Sequence, residues 1–180
     1  MTYLTTSTPA FTLFELVVLK QDLPNYNLKR GLIGTILEIF DENSLNPAYE
    51  VDFIDEEGQT LAMVALTQDQ LWPITSAQYE FINTVIQEIR EIYAKLDQIY
   101  PDDPTLVATE TLDRIKRDPS LKQRIIKARE DEVNHAVLIA ALLDHPAATI
   151  IDFGRSSPLQ PGIVGRQRNR KTKKHKIDPL

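Results

Sequence analysis

The chain divides near residue 75, where the spacing of its apolar positions changes. Before that point, short apolar runs alternate with turn-forming residues. Phe14–Lys20 (FELVVLK) is rich in branched side chains. Ile33–Phe40 (IGTILEIF) alternates, with Ile33, Thr35, Leu37 and Ile39 on one side. Ala48–Ile54 (AYEVDFI) alternates again: Tyr49, Val51 and Phe53 face one way, Glu50 and Asp52 the other. Thr60–Leu66 follows Asp55-Glu-Glu-Gly58, a hairpin-turn composition, and Leu71-Trp-Pro-Ile74 suggests a short closing strand with Pro73 at an edge. Period-2 runs of this length, punctuated by Gly, Asn and Pro, predict a small antiparallel β-barrel over residues 11–74.

From Ser76 the period lengthens. Tyr79, Ile82, Ile86, Ile89, Tyr93, Leu96 and Tyr100 recur at steps of three and four, which predicts one long amphipathic helix with Ser76 as its N-cap. Pro101 and Pro104 stop it. A second helix over about Pro104–Arg117 turns Leu106, Val107, Leu112 and Ile115 inward. A third stretch, capped by Asp118 or Ser120 with Pro119 in its first turn, runs to Asp144-His-Pro146 and has a charged patch, Lys127–Glu132, that divides it in two. Ala147–Phe153 is a last helical or extended run. The domain expectation is thus a barrel at 11–74, a helical module at 75–153 and a tail at 154–180. The long helix has two readings. Its stripe packs on the following helices, or Ile82, Ile86, Ile89, Tyr93 and Leu96 form a dimer seam; only about three heptads favour the first.

Charge sharpens this division. The net charge of −6 conceals −8 over residues 11–74, −5 over residues 75–153 and +7 over residues 154–180. The tail holds Arg166, Arg168, Arg170, Lys171, Lys173, Lys174 and Lys176 with nothing apolar to bury, so disorder is expected when it is free. Those seven cations suit RNA or DNA phosphates without sequence readout. The competing readings are a solubilising tail, or one that folds back on the acidic barrel. The barrel itself, at −8, repels phosphates. The opening MTYLTTSTPAFTLFELVV has no basic stretch before an apolar run, which predicts no signal peptide, and no apolar run reaches membrane-spanning length. A cytoplasmic location is expected.

Candidate chemistry is sparse. The absence of cysteine removes disulfides, thiolate metal sites and a Cys nucleophile. Glu132-Val-Asn-His135 has the Glu-x-x-His spacing of carboxylate-bridged metal bundles, but neither His145 nor His175 supplies a second such pair. His145, between Asp144 and Pro146, suits a helix stop. Ser156 and Ser157 lie in linker-like sequence, and Asp102-Asp103 and Glu56-Glu57 lie in turns without an apolar pocket to separate their pKa values. Gly31-Leu-Ile-Gly34 lacks the length, Lys and helix of a phosphate loop and reads as a turn into a strand. No catalytic residue, metal or cofactor is expected.

Several words in residues 14–74 carry a resemblance: Glu15-Leu-Val-Val-Leu, Asp22-Leu-Pro, Leu28-Lys-Arg-Gly31-Leu-Ile-Gly34-Thr-Ile, Tyr49-Glu-Val-Asp-Phe, Asp55-Glu-Glu-Gly58 and Leu71-Trp-Pro-Ile74. Together they resemble a family of small bacterial proteins, common in cyanobacteria, classed as a domain of unknown function. The resemblance implies a Src-homology-3-like barrel and antitoxin-like or regulatory roles. Residues 100–149, through Ala108-Thr, Ile115, Asp118-Pro-Ser-Leu-Lys-Gln-Arg-Ile125 and Leu143-Asp-His-Pro146, resemble a helical accessory module at the ends of cyanobacterial proteins. The fold class expected is α+β: barrel, helical module, basic tail. The function expected is non-catalytic protein–protein interaction, as an antitoxin-like or adaptor regulator. An acidic barrel face of Glu38, Glu50, Asp52, Asp55, Glu56 and Glu57 would dock a basic protein partner. The alternative is non-specific nucleic-acid association through the basic tail.

Overall fold

Leu16-Val-Val-Leu19 is almost wholly apolar because both of its faces are covered. In the computed structural model, which describes residues 10–42, 44–143 and 145, it forms β1 (Leu16–Leu19) near the middle of a five-stranded antiparallel sheet. The other strands are β2 (Ile33–Phe40), β3 (Ala48–Ile54), β4 (Thr60–Thr67) and β5 (Leu71–Pro73). Their order is β4-β3-β2-β1-β5. The four α-helices among the described residues are α1 (Ser76–Ile99), α2 (Pro104–Arg117), α3 (Pro119–Glu130) and α4 (Glu132–Leu142). The α+β class is therefore what the chain adopts. The predicted barrel is not closed: among the described residues β4 and β5 are the two edges of the sheet. β5 has only three residues and ends in Pro73, which has no N–H with which to extend a ladder. The predicted tail, and the run Ala147–Phe153, lie outside the described residues.

One face of the sheet carries a core of Val17, Leu19, Ile36, Tyr49, Val51, Phe53, Val64, Leu66 and Leu71. Phe11 and Leu28 close it from flanking segments. The Phe11 ring stands edge-on to Tyr49, with centroids 5.2 Å apart, and Ala10 N donates to Tyr49 Oη at 3.0 Å. The opposite face presents Leu16, Val18, Ile33, Trp72 and Ile74 to the helices. These meet Ile82, Val85, Ile86 and Ile89 of α1 and Leu138 and Leu142 of α4 in a second core. The helices thus pack directly on the sheet.

The β2 alternation differs from the expectation. Ile33, Thr35, Leu37 and Ile39 do not share a face: Ile33 packs towards the helices, Ile39 packs into the inner core and Leu37 is exposed. A bulge between Ile36 and Glu38 inserts one extra residue, Leu37, and resets the alternation. On the inner side Gly34 lies opposite Phe53, and a Cβ there would come within 2.5 Å of Val51 Cγ1.

The helix boundaries have local causes. Thr75, not Ser76, caps α1: its Oγ1 accepts from Gln78 N at 3.1 Å, while Gln78 Oε1 accepts from Thr75 N at 3.0 Å. Asp103 caps α2 ahead of Pro104, and Asp118 caps α3 ahead of Pro119. The break in the charged patch falls at Asp131, whose Oδ1 accepts from Asn134 N at 2.8 Å and starts α4. On α2, Val107 and Ile115 are buried as expected, but Leu106 is exposed. The residues considered as a dimer seam face inward. Ile82, Ile86, Ile89 and Leu96 are at most 4% exposed and Tyr93 is half-buried, because the chain's own elements cover the stripe.

The segment leading into β2 approaches α4 closely at Gly31. Its φ of +92° is one that L side chains rarely adopt, and a Cβ would lie 2.0 Å from the Ala136 carbonyl oxygen. Gly58 has φ +79° but open space around it. Gly31→Ala should cost roughly 2–5 kcal/mol, combining backbone strain with a steric clash, whereas Gly58→Ala should cost about 1 kcal/mol. Urea denaturation of the two variants checks the difference.

Candidate functional site

Among the described residues, the helices cover only part of the sheet face on which they pack. Cross-strand register defines the rest. Leu16 pairs with Thr35, Thr35 with Asp52, and Asp52 with Met63, so one row of side chains runs across β1, β2, β3 and β4 on a single face. The next row is Glu38, Glu50 and Ala65. At the β1 and β5 end this face lies beneath α1 and α4. Over the later part of β2, and over β3 and β4, it stays open: Leu37, Ile54, Leu61 and Met63 are 37% to 54% exposed.

Three of the predicted acidic residues come together here. Glu38 lies directly opposite Glu50, and Asp52 follows two residues along β3 on the same face. Like charges facing each other across a ladder destabilise it. None of the ion pairs among the described residues involves Glu38, Glu50, Asp52 or Glu57. Asp52 Oδ1 is buried and accepts no hydrogen bond among the described residues, an arrangement that disfavours the isolated sheet. Beside these carboxylates β4 is an open edge of eight residues, TLAMVALT, without a charge or a proline. Exposed edges are usually blunted by such residues.

The other acidic residues have internal roles. Asp55 Oδ1 accepts from Glu57 N at 3.0 Å and Gln59 N at 2.8 Å, which holds the β3–β4 turn. Glu56 pairs with Arg90 of α1. Asp55 and Glu56 therefore belong to the turn and to the seam between sheet and helix, and Glu57 stands exposed beside them.

Arg90 ties three elements together. Besides Glu56, its guanidinium donates to the Ala141 carbonyl of α4 at 2.9 Å. One turn further along α1, the Tyr93 ring meets His145 edge-on at 4.6 Å. Burial and then the Arg90 charge hold the His145 pKa below its ordinary value, with Glu56 opposing. Burial and then Asp97 raise that of the Tyr93 hydroxyl. A second seam forms at Arg30, which pairs with Glu132 at 3.2 Å and lies 5.0 Å over the Trp72 ring. Of the Glu132–His135 pair considered for metal binding, Glu132 is engaged with Arg30, and no metal-capable cluster of three or more His, Asp or Glu occurs among the described residues. Two clefts, of about 210 Å³ beside Arg30 and α4 and about 300 Å³ between α1 and Lys127–Asn134, contain no residue of the acidic face. The tail cations, Arg166 to Lys176, lie outside the described residues.

The exposed apolar residues Leu37 and Leu61 were not identifiable as a surface beforehand. Both sit where the ladder register shifts, Leu37 between Ile36 and Glu38 and Leu61 between Ala62 and Thr60. Alternation counts through such positions without detecting them. Ile54 and Met63 did carry a signal, since each keeps step with Asp52 in its own strand or opposite it.

The architecture defines a small antiparallel sheet domain with a helical layer on one face. Residues 13–73, the sheet alone, match the model of a family described as Domain of unknown function (DUF4926). No curated protein and no solved structure matches the chain. No helix among the described residues is long and apolar enough to cross a membrane.

Two outcomes follow from this geometry. Glu50→Lys should stabilise the fold by about 0.2–1 kcal/mol, by replacing a like-charge cross-strand pair with an opposite one; chemical denaturation at low salt measures it. For His145, the lowered folded-state pKa means that the unfolded chain binds the proton more tightly. Stability should therefore be level above the ordinary value of 6.5 and decline as pH falls below it. Urea midpoints between pH 8 and pH 5 should fall less steeply in His145→Gln than in the parent chain.

Proposed function

We propose that this is a non-catalytic protein-interaction protein, an adaptor or antitoxin-like regulator, which docks a basic partner on the open half of its sheet. The observation that carries this reading is the facing pair Glu38 and Glu50, with Asp52 beside it, on an exposed face flanked by Leu37, Ile54 and Met63. Carboxylates placed against one another at a cost to the sheet gain when a cation comes between them. Lysine ammonium or arginine guanidinium groups supply that cation, and arginine can take a carboxylate with two hydrogen bonds. The apolar flanks add contact area, and the uncharged β4 edge accepts an extended segment through its backbone.

The strand order and the short 3-10 turn Gln68–Gln70 before β5 support reading residues 11–74 as a Src-homology-3-like fold. The sequence words of that segment support a cyanobacterial source, and the cysteine-free composition supports a cytoplasmic one.

Charge complementarity acts mainly on the rate of association, which salt screens. A partner recovered with the full chain should bind with an association rate that falls at least about tenfold between low salt and about 0.5 M salt. The double variant Glu50→Lys, Asp52→Lys should abolish that binding. Binding that survives the double variant overturns the reading. So does binding that is instead lost when the cations of 166–176 are neutralised and that is directed at RNA or DNA.

A further inference from the structure

We propose that the chain's own basic segment, Arg166–Lys176, occupies this acidic face and screens it from outside partners. The inference rests on the reading of the face as a cation-docking surface and names its resident occupant.

Charge is the first support. Residues 11–74 carry −8 and residues 154–180 carry +7, so the two parts nearly neutralise one another. At low salt such charges attract over about a Debye length, roughly 10 Å at 0.1 M.

Position is the second support. The last described residue, His145, lies against Tyr93 of α1. Arg90, one turn back on that helix, joins the end of α4 at Ala141 to Glu56 in the β3–β4 turn. The chain therefore leaves the described body beside the hairpin end of the acidic face. About 21 residues separate His145 from Arg166, and a fully extended chain of that length reaches about 70 Å. β3 is only about 23 Å long. The reach is ample, and a tether of this kind holds its cations at an effective concentration near the millimolar range.

Spacing is the third support. Arg166, Arg168 and Arg170 occur at every second position. In an extended chain they project to one side about 6.8 Å apart, the same repeat that separates Glu50 from Asp52 on β3. An extended tail lying along the open half of the sheet can place successive arginines over successive carboxylates. An external basic partner must then displace the tail, so the face is self-inhibited until the tail is drawn away or its charge is removed.

The probe is a synthetic peptide of residues 166–176, titrated at low salt into two full-length chains and followed by amide chemical shifts. One chain is the parent. In the other, the seven basic residues between Arg166 and Lys176 are changed to glutamine, which leaves every described residue intact. The peptide should bind the neutralised chain at least tenfold more tightly than the parent, with shifts centred on Glu38, Glu50, Asp52 and Met63. Adding Glu50→Lys and Asp52→Lys to the neutralised chain should abolish the binding. Equal binding to parent and neutralised chains would show that the face takes cations but is not screened by the tail, which overturns this inference alone. Binding to the neutralised chain that ignores the two lysine substitutions overturns it as well, because the peptide then sits elsewhere. No binding to either chain would remove the docking surface itself, and the inference with it.

Discussion

The structure depends on one short strand being buried from both sides. Val17 and Leu19 of β1 enter the core within the sheet, while Leu16 and Val18 face the helices. A strand exposed on one face needs only alternate apolar residues; a strand covered on both needs an unbroken run, and Leu16-Val-Val-Leu19 supplies it. Because β1 lies between β2 and β5, its register sets which residues of those strands reach the helices. Val18 pairs with Ile33 on one side and Trp72 on the other, and all three meet the helical layer. A shift of one residue would exchange the two cores and leave the stripe of α1 without its partner.

The close approach that follows from this contact leaves little room at its margins. Gly31 is pressed against the Ala136 carbonyl of α4, Arg30 reaches Glu132 across the same boundary, and Arg90 ties the β3–β4 turn to α1 and α4 at the other end. These contacts fix how far the helices extend over the sheet. Among the described residues they stop short of the later part of β2, and of β3 and β4, so one continuous sheet face is part core and part surface. The acidic residues lie on the surface part. The Asp52 side chain shares a row with Leu16, and Glu38 and Glu50 form the next row, so covered and open parts belong to a single ladder.

A surface that brings Glu38 opposite Glu50, leaves an Asp52 oxygen without a hydrogen-bond partner among the described residues and keeps an uncharged edge strand beside them lowers the stability of the sheet. Local choices elsewhere agree with the fold: a capping box at Thr75 and aspartate caps at Asp103, Asp118 and Asp131. Departures from such consistency gather where a protein meets something else.

The sequence alone determined what depends on near neighbours. Strand and helix periods, the proline stops at Pro101 and Pro104, a break within the charged patch Lys127–Glu132 and the separation of charge between sheet and tail are all local properties, set by side chains a few positions apart. Only the tertiary structure decided what depends on register and on contacts distant in the chain. The bulge at Leu37 sent Ile33 and Ile39 to different cores, and the seam at Arg90 withdrew Glu56 from the acidic face. The packing of α1 on the sheet and the other helices buried the stripe that could have served a dimer. The physical reason is that periodicity shows that an apolar stripe must be covered, while the covering surface is chosen by cross-strand pairing and helix packing between residues far apart along the chain.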